Sequence, residues 1–177
     1  MRNYEPLTEE EIAKYKAMLK EPSEESPYYE PFEINKKDVN KYVEDDLSPD
    51  EEWRQIERIF DECGVRLFVS NYGRIKRNGK IESPTPIWDD SGKQLFIQRY
   101  SVYISPSNTE LLHRLVLEAF DPIEEREKYQ VHHLDNNAHN NSTENLIWVT
   151  GSDHDKIAKK FESKIKEIHN KIREERK

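Results

Sequence analysis

The stretch VHHLDNNAHNNSTENLIWVTGSDH, residues 131–154, constrains what this chain can fold into more than any other part of it. Gln130 to Leu134 is a short β-favouring run, residues 135–145 are rich in Asn and Ser, and Leu146 to Thr150 is a second apolar, β-favouring run. Those signals spell a hairpin with a long polar loop. Gly151 and Ser152 then break the strand, Ser152 is placed to N-cap, and a helical pattern follows through Ile157, Phe161, Ile165, Ile168 and Ile172. The order is ββα. His154 falls in the first turn of the helix, from where the fold can return it to the His132–His133 end of the first strand. Three imidazoles can then converge on one point.

Convergent neutral imidazoles are what a divalent cation requires. The positive end of a helix disfavours imidazolium at His154 and attracts phosphate. Adjacent strand residues point to opposite faces, so His132 and His133 do not serve the same atom. One can hold a metal while the other works on water. This division suits metal-assisted phosphodiester hydrolysis, in which a general base activates water and a cation stabilises charge at phosphorus and on the leaving oxygen. Asn145, at the start of the second strand, is available as the amide that fixes the orientation of the base.

The same residues resemble the HNH nuclease motif of phage-encoded and homing-type endonucleases, in which a doublet ending in His is followed by an Asn-Asn loop, Asn-Leu-x-Trp and a helix. The resemblance implies His133 as general base, Asn145 as the amide that orients it, and His132 and His154 as metal ligands. It also implies DNA as substrate and products with 5′-phosphate and 3′-hydroxyl ends. His132 stands where relatives carry Asp, Asn or His, and His154 where many carry Asn. The expected cofactor is a divalent ion, magnesium or manganese in such relatives, and two imidazoles extend the tolerance to zinc, nickel or cobalt. Upstream, EEWRQI (51–56), FVSNYGRIKR (68–77) and LLHRLVLEAF (111–120) resemble the small module that precedes HNH domains in these enzymes. The likeness runs from about Glu51 to about Lys160. It departs at the insertion-like stretch 57–65 and in lacking a DNA-reading repeat after the helix.

Of 177 residues, 34% are hydrophobic and 36% charged, which leaves material for one or two small domains and an extended part. No run of about 18 apolar residues and no signal-peptide pattern occurs. A cytoplasmic setting without membrane contact is therefore expected, in the phage-infected or prophage-carrying host that the resemblance implies. Cys63 is the single cysteine, which excludes an intramolecular disulfide and a multi-Cys zinc site. The net charge of −8 sits badly with phosphate binding until its distribution is considered. Residues 1–62 hold nine Lys or Arg against nineteen Asp or Glu, whereas residues 63–177 hold nineteen against seventeen. Arg66, Arg74, Lys76, Arg77 and Lys80 form a basic run with no intervening carboxylate, the expected DNA contact.

The expected fold class is α+β. Residues 1–50 form an acidic helix and linker arm, residues 51–108 a small β-rich DNA-contacting module, and residues 109–177 a ββα-metal (HNH) nuclease domain with a long C-terminal helix. Thr8 and Glu11 make a capping box for a helix within residues 1–20, and the Tyr- and acid-bearing residues 21–50 read as a solvated arm or a docking site for a partner protein. Residues 67–75 read as a strand with Asn71-Tyr72-Gly73 as its turn or bulge, and residues 93–104 as further strand packing through Phe96, Tyr100 and Tyr103. Asn108 or Thr109 is expected to cap a helix with Leu112, Leu115, Val116, Ala119 and Phe120 on its apolar face. His113, His139 and His169 read as structural or neutral, Asn140 and Asn141 as holding the loop, Asp135 as capping it, and Trp148 as core. The expected function is a metal-dependent DNA endonuclease. The alternatives are a non-catalytic DNA- or protein-binding module, and a partner-dependent nuclease component in phage packaging or defence.

Overall fold

The computed structural model describes residues 7–19, 49–88 and 97–160, together with 163, 167, 170 and 174. The expectations placed on residues 20–48, on Phe96 and on most of the C-terminal helix, including Phe161, Ile165, Ile168, His169 and Ile172, lie outside the described residues.

Helix α3 (Leu112–Phe120) is the element on which the sheets converge. Leu112, Leu115, Val116 and Leu117 are all 2% exposed or less, more than a single stripe, because the helix is covered on several sides. Its start differs from expectation. Asn108 and Thr109 lie in strand β7 (Asn108–Leu111), paired antiparallel with β6 (Ile97–Ser105), and the helix begins from Leu111 without a side-chain cap. Sheet pairing holds Asn108 and Thr109 extended in β7, so neither stands at the residue that precedes the helix. The helix ends where the Asp121 N–H bonds to the Leu117 carbonyl and Pro122 prevents continuation.

Before α3 come two antiparallel sheets. β1 (Trp53–Gln55), β2 (Leu67–Ser70), β3 (Ile75–Arg77) and β4 (Lys80–Glu82) form one in the order β1-β2-β3-β4; β5 (Thr85–Trp88), β6 and β7 form the other. The insertion-like stretch 57–65 contains helix α2 (Glu57–Cys63), and Cys63 is a free, exposed thiol. The segment 67–75 is a hairpin: the chain reverses at Gly73, whose φ of +77° suits a residue without Cβ. Tyr103, expected to pack, is 56% exposed, because β6 turns alternate residues outward and Val102 and Ile104 take the core side.

After α3, β8 (Tyr129–His133) and β9 (Leu146–Thr150) pair antiparallel and lead into α4 (Gly151–Ala158). The ββα order is therefore present and the fold is α+β. The cap of α4 is Thr150, not Ser152. Its hydroxyl accepts from the Asp153 N–H at 3.1 Å and donates to the Asp153 carboxylate at 2.8 Å, so the last strand residue doubles as N-cap. Arg114 of α3 donates to the Tyr129 and Arg126 carbonyls and lies over the Trp148 ring, while the Trp148 indole donates to the Asp121 carbonyl.

One core joins these parts: Ile56, Ile59, Leu67, Val69 and Ile75 from the first sheet and α2, Val102 and Ile104 from the second, the α3 leucines, and Leu146 and Trp148 from the hairpin. It passes across residue 108 without a break. A second cluster holds Ile12 and Leu19 of the N-terminal segment against Leu134, Val149 and Ile157. The helix read from Thr8 and Glu11 is α1 (Glu9–Met18), with both halves of its capping box made. It packs on α4, and the Leu7 N–H bonds to Asp153 at 2.9 Å. Among the described residues no helix is long and apolar enough to cross a membrane.

Candidate active site

Strand β8 presents His132 and His133 to opposite sides, as the alternation of a strand requires. His132 turns toward α4, and its ring meets that of His154 edge-on, with centroids 5.1 Å apart. His133 turns toward α3, where its ring meets that of His113 at 5.3 Å and an interplanar angle of 90°. The first strand thus divides its two imidazoles between two histidine neighbours.

His132 is 5% exposed and its Nε2 is buried with no hydrogen-bond partner among the described residues. Burial, reinforced by the neighbouring His154 and His133, lowers its pKa to about 4. Burial also lowers the pKa of His154 below its usual 6.5. Both rings are neutral near pH 7, the state in which imidazole ligates a metal. An orphaned buried nitrogen in a ring packed against a second neutral imidazole fits a divalent cation, since an unpartnered buried polar atom is otherwise costly. Among the described residues no group of three or more His, Cys, Asp or Glu clusters as a metal site.

His133 is held from the other direction. Its Nε2 lies 3.1 Å from Asn141 Oδ1, and Asn141 is 4% exposed. The Asn141 amide donates to the carbonyls of Ala138 at 3.0 Å and His139 at 3.4 Å, which commits its nitrogen and turns its oxygen to the ring. His133 Nε2 therefore carries the proton, and Nδ1 keeps the basic lone pair. Burial lowers the pKa of His133 from 6.5, against the opposing pull of the Asn141 hydrogen bond and the Asp135 charge.

Asn145, expected to orient the base, has other partners. Its oxygen accepts from the Asp135 N–H at 3.0 Å, its nitrogen donates to Asp135 and the Asn140 carbonyl at 2.8 Å each, and its carbonyl accepts from the Leu134 N–H at 2.8 Å. It pins the chain immediately after His133, whereas Asn141 touches the ring. Asp135 caps the loop through the Asn137 N–H and the Asn140 amide, and Asn140 in turn accepts from Ser142. His113 is 8% exposed with a buried, unpartnered Nδ1, and burial lowers its pKa to about 3. His139 Nδ1 lies 2.7 Å from the Tyr100 hydroxyl. The sequence signal that could have found Asn141 and His113 was weak: Asn141 is one of several asparagines in a short span, and His113 is a single histidine within an apolar helix.

The basic run is divided in space. Arg74 bonds to the buried Glu51, Arg77 bonds to both oxygens of Glu82, and Lys76 lies 3.9 Å from the centre of the Trp53 ring. The carboxylates absent from the run itself come from the segment before β1 and from β4. Arg66 and Lys80 are exposed, with Arg66 5.8 Å from the Phe60 ring centre.

Residues 110–156 match the sequence profile of a family described as HNH endonuclease. The segment is similar to the HNH endonuclease family. It takes in α3, the hairpin and the opening of α4, and so His113, His132, His133, Asn141, Asn145 and His154. The chain is also similar to a solved structure described as "DNA binding and cleavage by the HNH homing endonuclease I-HmuI", at 26% identity and a TM-score of 0.43, over 64% of this chain and 59% of that one. The likeness thus spans less than two thirds of that relative's length. No curated protein matches.

Proposed function

We propose that this chain is a metal-dependent DNA endonuclease in which His133 is the general base and His132 and His154 hold a divalent cation. The observation that carries this reading is the pairing across β8: a His132 ring with an orphaned Nε2 packed edge-on against His154 on one side, and His133 clamped through its Nε2 on the other. In this mechanism His133 Nδ1 takes a proton from water as the water oxygen bonds to phosphorus in line with the leaving group. The bond from phosphorus to the 3′ oxygen breaks, that oxygen takes a proton from solvent, and the 5′ side keeps the phosphate. Asn141 holds the acquired charge on the imidazolium by accepting from Nε2, and Asn145 keeps Leu134 and Asp135 from drifting. A divalent cation on His132 and His154 would supply positive charge at the scissile phosphate and the departing oxygen. Arg66, Lys76 and Lys80 are proposed to meet the DNA backbone. Arg74 and Arg77 contribute to that face while each is paired with a carboxylate.

The test is cleavage of supercoiled and linear plasmid by metal-stripped protein re-supplied separately with Mg, Mn, Ni, Co and Zn. Cleavage is expected only with added cation. His132→Ala and His154→Ala are each expected to raise the cation concentration for half-maximal rate by about tenfold or more. Cleavage that survives chelation, or variants that titrate like the parent, would remove the metal assignment.

The acid side of the pH profile gives an independent expectation. A base works only when unprotonated, so activity falls as pH drops through the pKa of His133. Since burial lowers that pKa, the half-maximal point at saturating cation lies below 6.5. A limb centred above 6.5, or none at all, would speak against His133 as the base.

A further inference from the structure

We propose that the β2–β3 turn of the first sheet, with Gly73 at its tip, positions the general base by bracing Asn141. This rests on the reading of His133 as that base and adds a residue distant in sequence to its control.

The contact is unusually close. A Cβ built on Gly73 would lie 2.5 Å from Asn141 Cβ, 2.7 Å from its carbonyl oxygen and 2.8 Å from its carbonyl carbon, so the two backbones touch with no room for a methyl group. The turn that delivers this contact is rigid. The Gly73 N–H bonds to the Ser70 carbonyl and the Ser70 N–H to the Arg74 carbonyl, both at 2.9 Å, while the buried Ser70 hydroxyl accepts from Tyr72 and Arg74. Asn71 fastens the turn to the chain before β1, accepting from the Glu52 N–H at 2.9 Å and donating to the Asp50 carbonyl at 3.1 Å. The turn is also bonded to the loop it supports, since the Thr143 N–H donates to the Asn71 carbonyl at 2.9 Å.

Asn141 is therefore fixed on two sides. Its amide nitrogen is tied to the Ala138 and His139 carbonyls, and its backbone rests on Gly73, leaving Oδ1 aimed at His133 Nε2. A shift of Asn141 by a few tenths of an ångström would stretch the 3.1 Å bond that sets the ring orientation and the protonated nitrogen. Misplacement of catalytic groups on that scale lowers rate much more than binding. Gly73 is thus a positioning residue, acting through Asn141.

Gly79 supplies a control within the same sheet. Its φ is +85°, close to the +77° of Gly73, yet a Cβ there would meet nothing within 4 Å. Alanine carries a similar backbone cost at both positions, and only at Gly73 does it also displace Asn141.

The experiment is single-turnover nicking of supercoiled plasmid in manganese with enzyme in excess, across a range of enzyme concentrations, which separates maximal rate from half-saturating concentration. Gly73→Ala is expected to lower the maximal rate about 10- to 100-fold, with half-saturation within about twofold of the parent. Gly79→Ala is expected to stay within about twofold in both. Asn141→Ala is expected to match Gly73→Ala, and Gly73→Ala is expected to add nothing in the Asn141→Ala background, because the route to His133 is already cut. The inference is overturned by a parental rate in Gly73→Ala, by an equal loss in Gly79→Ala, or by additive losses in the double variant. Should Gly73→Ala not fold, Asn141→Ala decides, since a parental rate there removes the link to the base. His133→Ala separates the two levels. If it cleaves normally, the reading of the base fails and the inference with it; if it is inactive while Gly73→Ala is normal, only the inference fails.

Discussion

His133→Ala is expected to leave a folded, DNA-binding protein whose maximal cleavage rate is lower by about 10²- to 10⁴-fold, the span attributed to a positioned general base. The structural cost of the change is bounded by what the ring touches. It loses an edge contact with His113 and leaves the buried Asn141 oxygen without its donor, worth about 1–3 kcal/mol. A domain with about 5–15 kcal/mol of stability tolerates that loss with nearly all molecules still folded. A hundredfold drop in rate therefore cannot come from unfolding. The measurement is single-turnover cleavage beside a thermal melt and plasmid binding. Added imidazole in solution should restore part of the rate by occupying the vacated space. If the loss of cleavage merely follows the loss of folded protein, His133 is a structural residue.

Ile12→Asp is expected to be strongly destabilising although it lies outside the main core. Ile12 is 7% exposed and packs with Leu19 against Val149 and Ile157, both fully buried, so a carboxylate there removes apolar burial and must be solvated or neutralised. The combined cost is about 3–5 kcal/mol. For a chain of this size that corresponds to a fall of about 10 °C in Tm. The consequence reaches the site because α1 and α4 share more than apolar contact. Burial alone would raise the pKa of Asp153, but hydrogen bonds from the Leu7 N–H, the Thr150 hydroxyl and Lys156 outweigh it and hold the carboxyl below its usual 3.8. Detaching α1 removes the first of these at the residue preceding His154. The cation requirement of the variant is expected to rise together with its loss of stability. An unchanged melt would show that α1 adds nothing to the fold, and an unchanged cation requirement in a destabilised protein would show that α4 holds His154 without it.

The ββα unit was legible because each of its signals is local: two β-favouring runs, an Asn-rich loop between them, and a helix placing His154 in its first turn. The opposite facing of His132 and His133 followed from strand geometry alone. What was not legible depended on partners far along the chain. Asn108 and Thr109 read as caps until β6 takes their backbone into a sheet. Arg74 and Arg77 read as free cations until Glu51, from the segment before β1, and Glu82, from β4, reach them. Asn141 read as a loop-holding amide and Asn145 as the amide at the start of the second strand, and which of them touches the His133 ring depends on the loop's path. That path is set in part by a turn nearly seventy residues earlier, at Gly73. The docking of α1 was hidden for the same reason: its modest apolar side is ordinary until Val149 and Ile157 are seen to face it.

The unbroken core around α3 bears on how such a unit can be exchanged between proteins. A cut at residue 108 would separate β7 from β6, leave an open strand edge, and expose the leucines that Ile56, Leu67, Val69, Val102 and Ile104 now cover. The HNH-like segment here is consequently not a cartridge that can be lifted out and grafted behind an unrelated module. A transplant that works has to carry the preceding sheets with it, and α1 as well if Val149 and Ile157 are to stay covered.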